Sequence, residues 1–216
     1  MSRAGRRDSL LGRLLILAPL RIEARALRRG VRSSTVVRTG MGREAATRAG
    51  ERVSALAGGG PVAVAGFCGG LRPEIGTGDV IVASEIRGPG GVVSLPSAPA
   101  VAEALRSAGL TVHVGPMVAS DRVAFGSRRA RAAVGGAMGV DMESYWLLED
   151  YAGPQAQAGS HALPPGPAAV VRAVSDTVGG RFFGGMLPAG WLRAYRSLAR
   201  VGAALEVWVD GLGPSM

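Results

Sequence analysis

The chain alternates short apolar runs with longer segments in which apolar and polar positions recur at helical spacing. Compact apolar runs are typical of buried strands, whereas the longer spacing predicts amphipathic helices. Strands are predicted at Leu14–Ala18, Thr35–Arg38, Val62–Ala65, Val80–Ala83, Thr111–Pro116 and Ala168–Ala173. Helices are predicted at Arg21–Arg29, Arg43–Leu56, Ala98–Ala108, Arg128–Gly135, Met142–Tyr151 and Ala189–Leu212. Because helical segments separate the strands, the pattern indicates an α/β domain with a largely parallel sheet and helices on both faces.

One domain accounts for most of the chain, since 216 residues suffice for one full core and no internal repeat is visible. Residues 1–12 are predicted to be a flexible basic leader, and residues 13–216 the folded domain. The Pro-, Gly- and Ala-rich segment Ala152–Pro167 is predicted to be a surface loop. Gly12 and Arg13 interrupt the first apolar run, and no convincing cleavage site follows. A cytoplasmic protein is therefore predicted.

Charge changes this picture little. The formal net charge is +9, and because no lysine is present, all 25 of the strongly basic side chains are arginines. A GC-rich genome would also produce this Gly, Ala and Arg usage; a surface attracting nucleic acid or anionic lipid is the alternative. The arginines are dispersed without aromatic-basic motifs, so no nucleic-acid partner is predicted. The single cysteine, Cys68, excludes an internal disulfide, and the spacing of His113 and His161 suggests neither a metal nor a cofactor.

Carboxylates lie where predicted strands end, which is where ligands bind in open α/β sheets. Glu23 falls in the first turn of a helix, where the helix dipole favours an acid, so a structural role is the alternative. Asp176 follows a buried strand; partial burial would keep it protonated as an acid, and a turn cap is the alternative. Asp141 and Glu143, two residues apart in GVDMESYW, point to different sides and are not expected to act as a catalytic pair.

Glycines also follow the strands. TGMG (39–42) opens a helix, where free N–H groups suit an anion or polar ligand, although a tight turn without a ligand is the alternative. AGFCGGL (65–71) is predicted as a strand-to-loop passage whose glycines permit close backbone approach or positive φ. Neither a Walker lysine nor GxGxxG spacing is present. Asp79, directly before an apolar run, is predicted to be a local turn acceptor.

Taken in order, TGMG, GFCGGL, GD-V-I-V, VDMES and R-A-V-S-D resemble the nucleoside phosphorylase/nucleosidase superfamily. IEARALR, RTGMG, GFCGGL, VGPMVASDRV and VDMES resemble most closely its nucleosidases associated with hopanoid biosynthesis, which release adenine from adenosylhopane. The resemblance spans about residues 13–178. It implies a purine nucleoside phosphorylase-like fold, three layers (αβα) around a central mixed, mostly parallel twisted sheet. It also implies a small-molecule nucleoside substrate and a homo-oligomer.

The resemblance also assigns roles to individual residues. Asp176 matches the aspartate that protonates the leaving purine, Ser175 its orienting hydroxyl, and Glu23 the glutamate that activates water in the hydrolases. Glu143 matches the glutamate that holds the ribose hydroxyls, and Met142 the methionine under the ribose. Further binding positions are implied at Met41, Gly42, Phe67, Cys68, Gly69, Val123 and Ala124. Three carboxylates suit this reaction, because one acid protonates the base, one deprotonates water, and one holds the sugar.

Two features of the sequence bear on the reaction and on the substrate. Phosphorylases of this fold commonly hold phosphate with an arginine and a serine, but the matching residues here are Val64 and Phe67, so hydrolysis is favoured over phosphorolysis. Phe182 and Phe183, within 179–191, are either ordinary core or a lid over an apolar 5′ substituent. A lid suits an adenosylhopane-type nucleoside and peripheral contact at the inner membrane face. The alternatives are a methylthioadenosine/S-adenosylhomocysteine nucleosidase, a phosphate-dependent phosphorylase, or a non-catalytic binding protein.

Overall fold

The computed structural model describes residues 13–122, 124, 131–152, 166–177 and 188–213. The strands are β1 (Leu15–Ala18), β2 (Thr35–Arg38), β3 (Val62–Gly70), β4 (Val80–Gly88), β5 (Gly91–Ser94), β6 (Val112–Ala119), β7 (Gly139–Asp141) and β8 (Ala168–Asp176). The helices are α1 (Arg21–Arg28), α2 (Arg43–Gly50), α3 (Val53–Ala57), α4 (Ala98–Ser107), α5 (Ser144–Ala152) and α6 (Pro188–Asp210). The proposed leader, residues 1–12, and most of the proposed loop, residues 153–165, lie outside the described residues.

All six predicted strands are present, and β3, β4, β6 and β8 run further than their apolar cores. AGFCGGL was expected to leave the sheet, but β3 continues to Gly70, so that prediction was wrong. None of its three glycines has positive φ. Gly66 instead permits a close approach, because a Cβ there would lie 2.5 Å from Arg172 Nη1.

Two short strands, β5 and β7, were not predicted. β5 is largely exposed, and β7 has only three residues, so neither contains an apolar run long enough to recognise. The single helix predicted over Arg43–Leu56 is instead two helices, α2 and α3. α2 ends at Gly50, a poor helix former that packs directly against the backbone of Trp146. Residues 131–132 of the predicted helix Arg128–Gly135 are helical and 133–135 form a turn; residues 128–130 are not described.

The sheet is mixed and mostly parallel, as predicted, but it is not the middle layer of a plain three-layer sandwich. Its main path is β2-β1-β3-β7-β6-β4-β5, and β8 pairs with both β3 and β4. A closed ring is therefore formed by β3, β7, β6, β4 and β8. Strands β1 and β2 extend the sheet outward from β3, and β5 extends it outward from β4. The ring closes through long-range pairing, and nothing in the sequence of β8 indicates that both of its edges are paired.

Helices cover both faces of this sheet. One apolar core is formed with α1, α4 and α6, and the other with α2, α3 and α5. Alternate residues of β3 serve the two cores: Ala63 and Ala65 face the first, Val62 and Val64 the second. None of the described helices combines the length and apolar character that a bilayer span requires.

Candidate active site

The ends of β1, β3, β7 and β8 converge on one cavity of about 190 Å³ with a mainly apolar lining. Its lining comprises Pro19, Leu20, Glu23, Met41, Phe67, Cys68, Gly69, Arg122, Ala124, Val140, Asp141, Met142, Glu143, Ser175 and Asp176. Ten of the residues that the sequence suggested as site residues are among them. Gly42 contacts one lining side chain, whereas Val123, Phe182 and Phe183 lie outside the described residues.

Glu23 lines the cavity and is held in place by two backbone donors. Its Oε2 accepts the Leu20 N–H at 2.6 Å, which caps the start of α1, and its Oε1 accepts the Phe67 N–H from β3 at 2.7 Å. The side chain is almost fully buried, and this burial raises its pKa despite the Arg172 charge and the two N–H groups. A carboxylate of raised pKa is a stronger base once ionised, as activation of water requires.

Glu143 lies between β7 and α5, with only 6% of its surface exposed. Its Oε1 accepts the Gly42 N–H at 3.0 Å, so the helix-opening turn predicted to bind a ligand contacts a carboxylate of the protein itself. Burial raises the pKa of Glu143 to about 7; Arg172, whose Nη2 lies 3.8 Å from Oε2, counteracts only part of that effect. Met142, beside it, also lines the cavity.

Asp141 has a different environment from Glu143, although only Met142 separates them. Its Oδ1 accepts the N–H groups of Glu143 and Ser144 at 3.3 and 3.2 Å, which caps the start of α5. Its Oδ2 pairs with Arg172 Nη2 at 2.7 Å and accepts the Ser144 hydroxyl. Asp141 thus makes the close contact with Arg172 and caps α5, whereas Glu143 contacts the Gly42 turn and lies 3.8 Å from the same guanidinium nitrogen.

Arg172 is the central cation of the site, although no role was predicted for it. It is fully buried in β8, where it ion-pairs with Asp141 and donates from Nε and Nη2 to Ser144 Oγ at 3.2 and 2.7 Å. The negative charges of Asp141, Glu143 and Glu23 raise its pKa, in opposition to burial. An arginine inside the apolar run AAVVRAV was the available signal, since a buried charge requires partners.

Ser175 and Asp176 end β8 and line the same cavity. Ser175 Oγ lies 2.9 Å from Asp176 Oδ1 and 3.1 Å from the Cys68 carbonyl oxygen. One hydroxyl proton serves only one of these acceptors at a time, so donation to either orients the serine beside the carboxyl group. The cavity therefore brings together the three carboxyl groups, Glu23, Glu143 and Asp176, that the sequence singled out for chemistry.

The wall around β3 is apolar. Val64 is fully buried in the sheet core, and the Phe67 ring packs 5.9 Å from the ring of Trp191. Neither side chain offers a donor to an anion. Arg122 is exposed at the lining, whereas Arg172, which contacts the lining residues Asp141 and Glu143, is paired with Asp141.

A family model for the phosphorylase superfamily matches residues 28–185. The chain belongs to this superfamily, as the sequence motifs predicted. No curated protein matches closely enough to count as a relative.

Solved structures of nucleosidases share the fold. A 5′-methylthioadenosine/S-adenosylhomocysteine nucleosidase from Helicobacter pylori, solved with butyl-thio-DADMe-Immucillin-A, superposes with a TM-score of 0.69 at 17% identity. The match covers 93% of this chain and 99% of that one. An S-adenosylhomocysteine nucleosidase from Streptococcus pyogenes, in complex with 5-methylthiotubericidin, gives 0.70 at 14%, covering 95% and 98%. At such identities the agreement concerns the fold, and it accords with the nucleosidase prediction.

Proposed function

We propose that this protein is a nucleosidase that cleaves the N-glycosidic bond of an adenine nucleoside and releases adenine. The observation that carries the proposal is the presence of Glu23, Glu143 and Asp176 around a single cavity. In the proposed reaction Asp176 donates a proton to the leaving base, oriented by Ser175, while Glu23 accepts a proton from the attacking water. Glu143 binds the ribose hydroxyls, with Met142 beneath the ring. General acid catalysis of this kind typically contributes about 10²–10⁴-fold.

Hydrolysis is preferred to phosphorolysis because phosphate needs several donors. Val64 and Phe67 provide none, and the Gly42 N–H already contacts Glu143. Arg122 is the one cation among the described lining residues, and it supports the phosphate-dependent alternative. Adenine release measured with and without phosphate distinguishes the two reactions.

The 5′ substituent is proposed to be large and apolar, as in an adenosylhopane-type nucleoside of hopanoid biosynthesis. Support comes from apolar side chains near the cavity. Met41 is 63% exposed at the lining, and Trp191, against Phe67, is 42% exposed and stacks on Tyr195 at 5.7 Å. Such exposed aromatic surface suits an apolar ligand better than a methylthio group alone. A cytoplasmic homo-oligomer that contacts the inner membrane face is proposed with it.

The test compares adenine release from methylthioadenosine and from a hydrophobic 5′-alkyl adenosine. The wild-type protein should prefer the alkyl substrate and bind anionic vesicles. Equal cleavage without vesicle binding would refute the apolar substrate and favour a methylthioadenosine/S-adenosylhomocysteine nucleosidase, the activity named for the structural neighbours.

The catalytic assignment is tested with Asp176→Asn and a matched control, Asp210→Asn, which changes an exposed aspartate at the end of α6. Asp176→Asn should lower kcat about 10²–10⁴-fold with the melting temperature unchanged, while Asp210→Asn retains full rate. Full activity of Asp176→Asn would exclude it as the acid. Absence of adenine release from every analogue, by wild-type protein that binds them, would favour the non-catalytic alternative.

A further inference from the structure

The turn at residues 76–79, directly before β4, carries an aspartate that contacts a histidine of β6 outside the cavity lining. Asp79 Oδ2 accepts the Gly76 N–H at 2.9 Å, which confirms the predicted turn acceptor. The same oxygen lies 2.9 Å from Nε2 of His113 in β6. A carboxylate oxygen accepts hydrogen bonds, so Nε2 carries the shared proton. The side chains are only 23% exposed for His113 and 22% for Asp79, which distinguishes them from a freely solvated surface pair.

The backbone of this turn holds the strand that carries the proposed acid. The Val174 N–H donates to the Asp79 carbonyl at 2.8 Å, and the Gly78 N–H donates to the Val174 carbonyl at 2.9 Å. Val174 lies two residues before Asp176. These two bonds extend the antiparallel pairing of β4 with β8 beyond Val80↔Ala173, toward the cavity. The turn therefore holds one edge of β8 directly before Ser175 and Asp176.

The opposite edge of β8 is less regular at this level. Its pairing with β3 proceeds in register to Cys68↔Val174 and then shifts, so that Gly69 pairs with Asp176. A register shift weakens the constraint that the ladder imposes locally. The turn therefore holds β8 at Val174, the residue after which the pairing with β3 shifts.

Helix α6 packs on the outer side of the turn. Ser197 Oγ donates to the Gly78 carbonyl at 2.6 Å, and Arg193 Nη2 lies 3.5 Å from Thr77 Oγ1. From α4, Arg106 Nη2 donates to the Val112 carbonyl, next to His113, at 3.4 Å. The charged residues near the pair on α6 and α4 are thus Arg193 and Arg106, both cations. Asp79 is the carboxylate that the turn itself contributes.

We infer that Asp79 and His113 are positioning residues for Asp176. The His113–Asp79 contact fixes the turn, and the turn fixes Val174 and with it the end of β8. The inference rests on the proposed function, because it takes Asp176 as the group that protonates the leaving base. It assigns a role to two residues that are not among those lining the cavity.

The test compares two polar substitutions of His113. Glutamine places an N–H donor at about the reach of Nε2, whereas the shorter asparagine does not. His113→Asn should lower kcat for adenine release roughly 10- to 100-fold with KM changed less than about threefold, since small misplacements of catalytic groups cost this much. His113→Gln should retain kcat within about threefold. Glu85→Gln is the matched control, because it breaks a 2.6 Å pair with Arg87 further along β4.

A second comparison uses the Asp176→Asn background. If His113 acts through Asp176, adding His113→Asn there should leave the residual rate unchanged within about twofold, because the acid to be positioned is absent. An equal loss in both backgrounds, or equal kcat for His113→Asn and wild type, would overturn the inference. A full-rate Asp176→Asn single variant would instead refute the proposed acid, so the two failures are distinguishable. Melting temperatures of all variants separate misfolding from mispositioning.

Discussion

Replacing Glu143 with glutamine should stabilise the protein at alkaline pH. Burial raises the pKa of Glu143 from 4.5 to about 7, although the Gly42 N–H and Arg172 favour the charged form. Between these two pH values the folded protein keeps a proton on Glu143 that the unfolded chain has released. The free energy of unfolding therefore falls as pH rises through this window. Above pH 7 the fold contains a buried charge that the Gly42 N–H and Arg172, whose Nη2 lies 3.8 Å from Oε2, compensate only in part.

The size of the stability change follows from these two pKa values of Glu143. A pKa raised from 4.5 to about 7 corresponds to about 3 kcal/mol of stability lost between the two limits. Glutamine has nearly the same shape and still offers an acceptor to the Gly42 N–H, but it carries no charge. Glu143→Gln should therefore equal wild type at pH 5 within about 1 kcal/mol and exceed it by about 2–3 kcal/mol at pH 8.5. Its turnover should fall sharply, since a neutral amide binds the ribose hydroxyls more weakly.

The assay is urea unfolding, followed by tryptophan fluorescence, at pH 5, 7 and 8.5. Asp210→Asn, at an exposed position, serves as the control and should show no such pH-dependent difference. A stability difference between Glu143→Gln and wild type that is the same at all three pH values would refute the reasoning. It would mean that Glu143 is ionised in the fold throughout this range.

Three further substitutions test other contacts. Gly66→Ala should cost about 1–3 kcal/mol or more and abolish activity, because its Cβ would lie 2.5 Å from Arg172 Nη1 and 2.6 Å from Glu23 Oε1; unchanged thermal unfolding would contradict this. Tyr151→Phe should cost about 1–3 kcal/mol at unchanged kcat, because it leaves the Gly60 carbonyl and Gly166 N–H without this buried hydroxyl; calorimetry and adenine release would measure both. Glu206→Gln should destabilise the fold by about 1 kcal/mol at pH 7, because N–H and hydroxyl donors at residues 32–34 lower the pKa of Glu206 to about 2. The stability difference should shrink as pH falls from 4.5 towards 2, and an equal difference at pH 3 in urea unfolding would exclude this explanation.

The sequence predicted the elements whose burial leaves a local pattern. The runs that became β1, β3 and β8 are almost continuously apolar because both faces of each strand are covered. Pairing partners leave no such pattern. The ring closes because β8 pairs with β3 along its length and with β4 at Val80–Val82, and these contacts join residues about a hundred positions apart.

The contacts of the site likewise fall into local ones, which could be predicted, and distant ones, which could not. The position of Glu23 in the first turn of α1 was predictable from one helical segment, and the capping bond to Leu20 is local. Its hydrogen bond from the Phe67 N–H joins residues 44 positions apart and could not be predicted from a local pattern. Arg172 was overlooked for the same reason, because its partners Asp141 and Ser144 come from a distant segment. His113 was judged only by its spacing to other ligand types, whereas its partner is Asp79.

The closed ring has a consequence for how the domain opens in solution. A strand paired on both edges exchanges its amide protons only when its neighbours also separate, so β8 belongs to the most protected part of the molecule. Met41, Arg122 and Ala124 lie outside the strands and helices, where local opening requires far less free energy. The proposed acid thus stands on a strand of the closed ring, while part of the recognition surface lies on segments that open or change sequence at little cost. Substrate preference can therefore diverge within this fold while the proton donor stays in place.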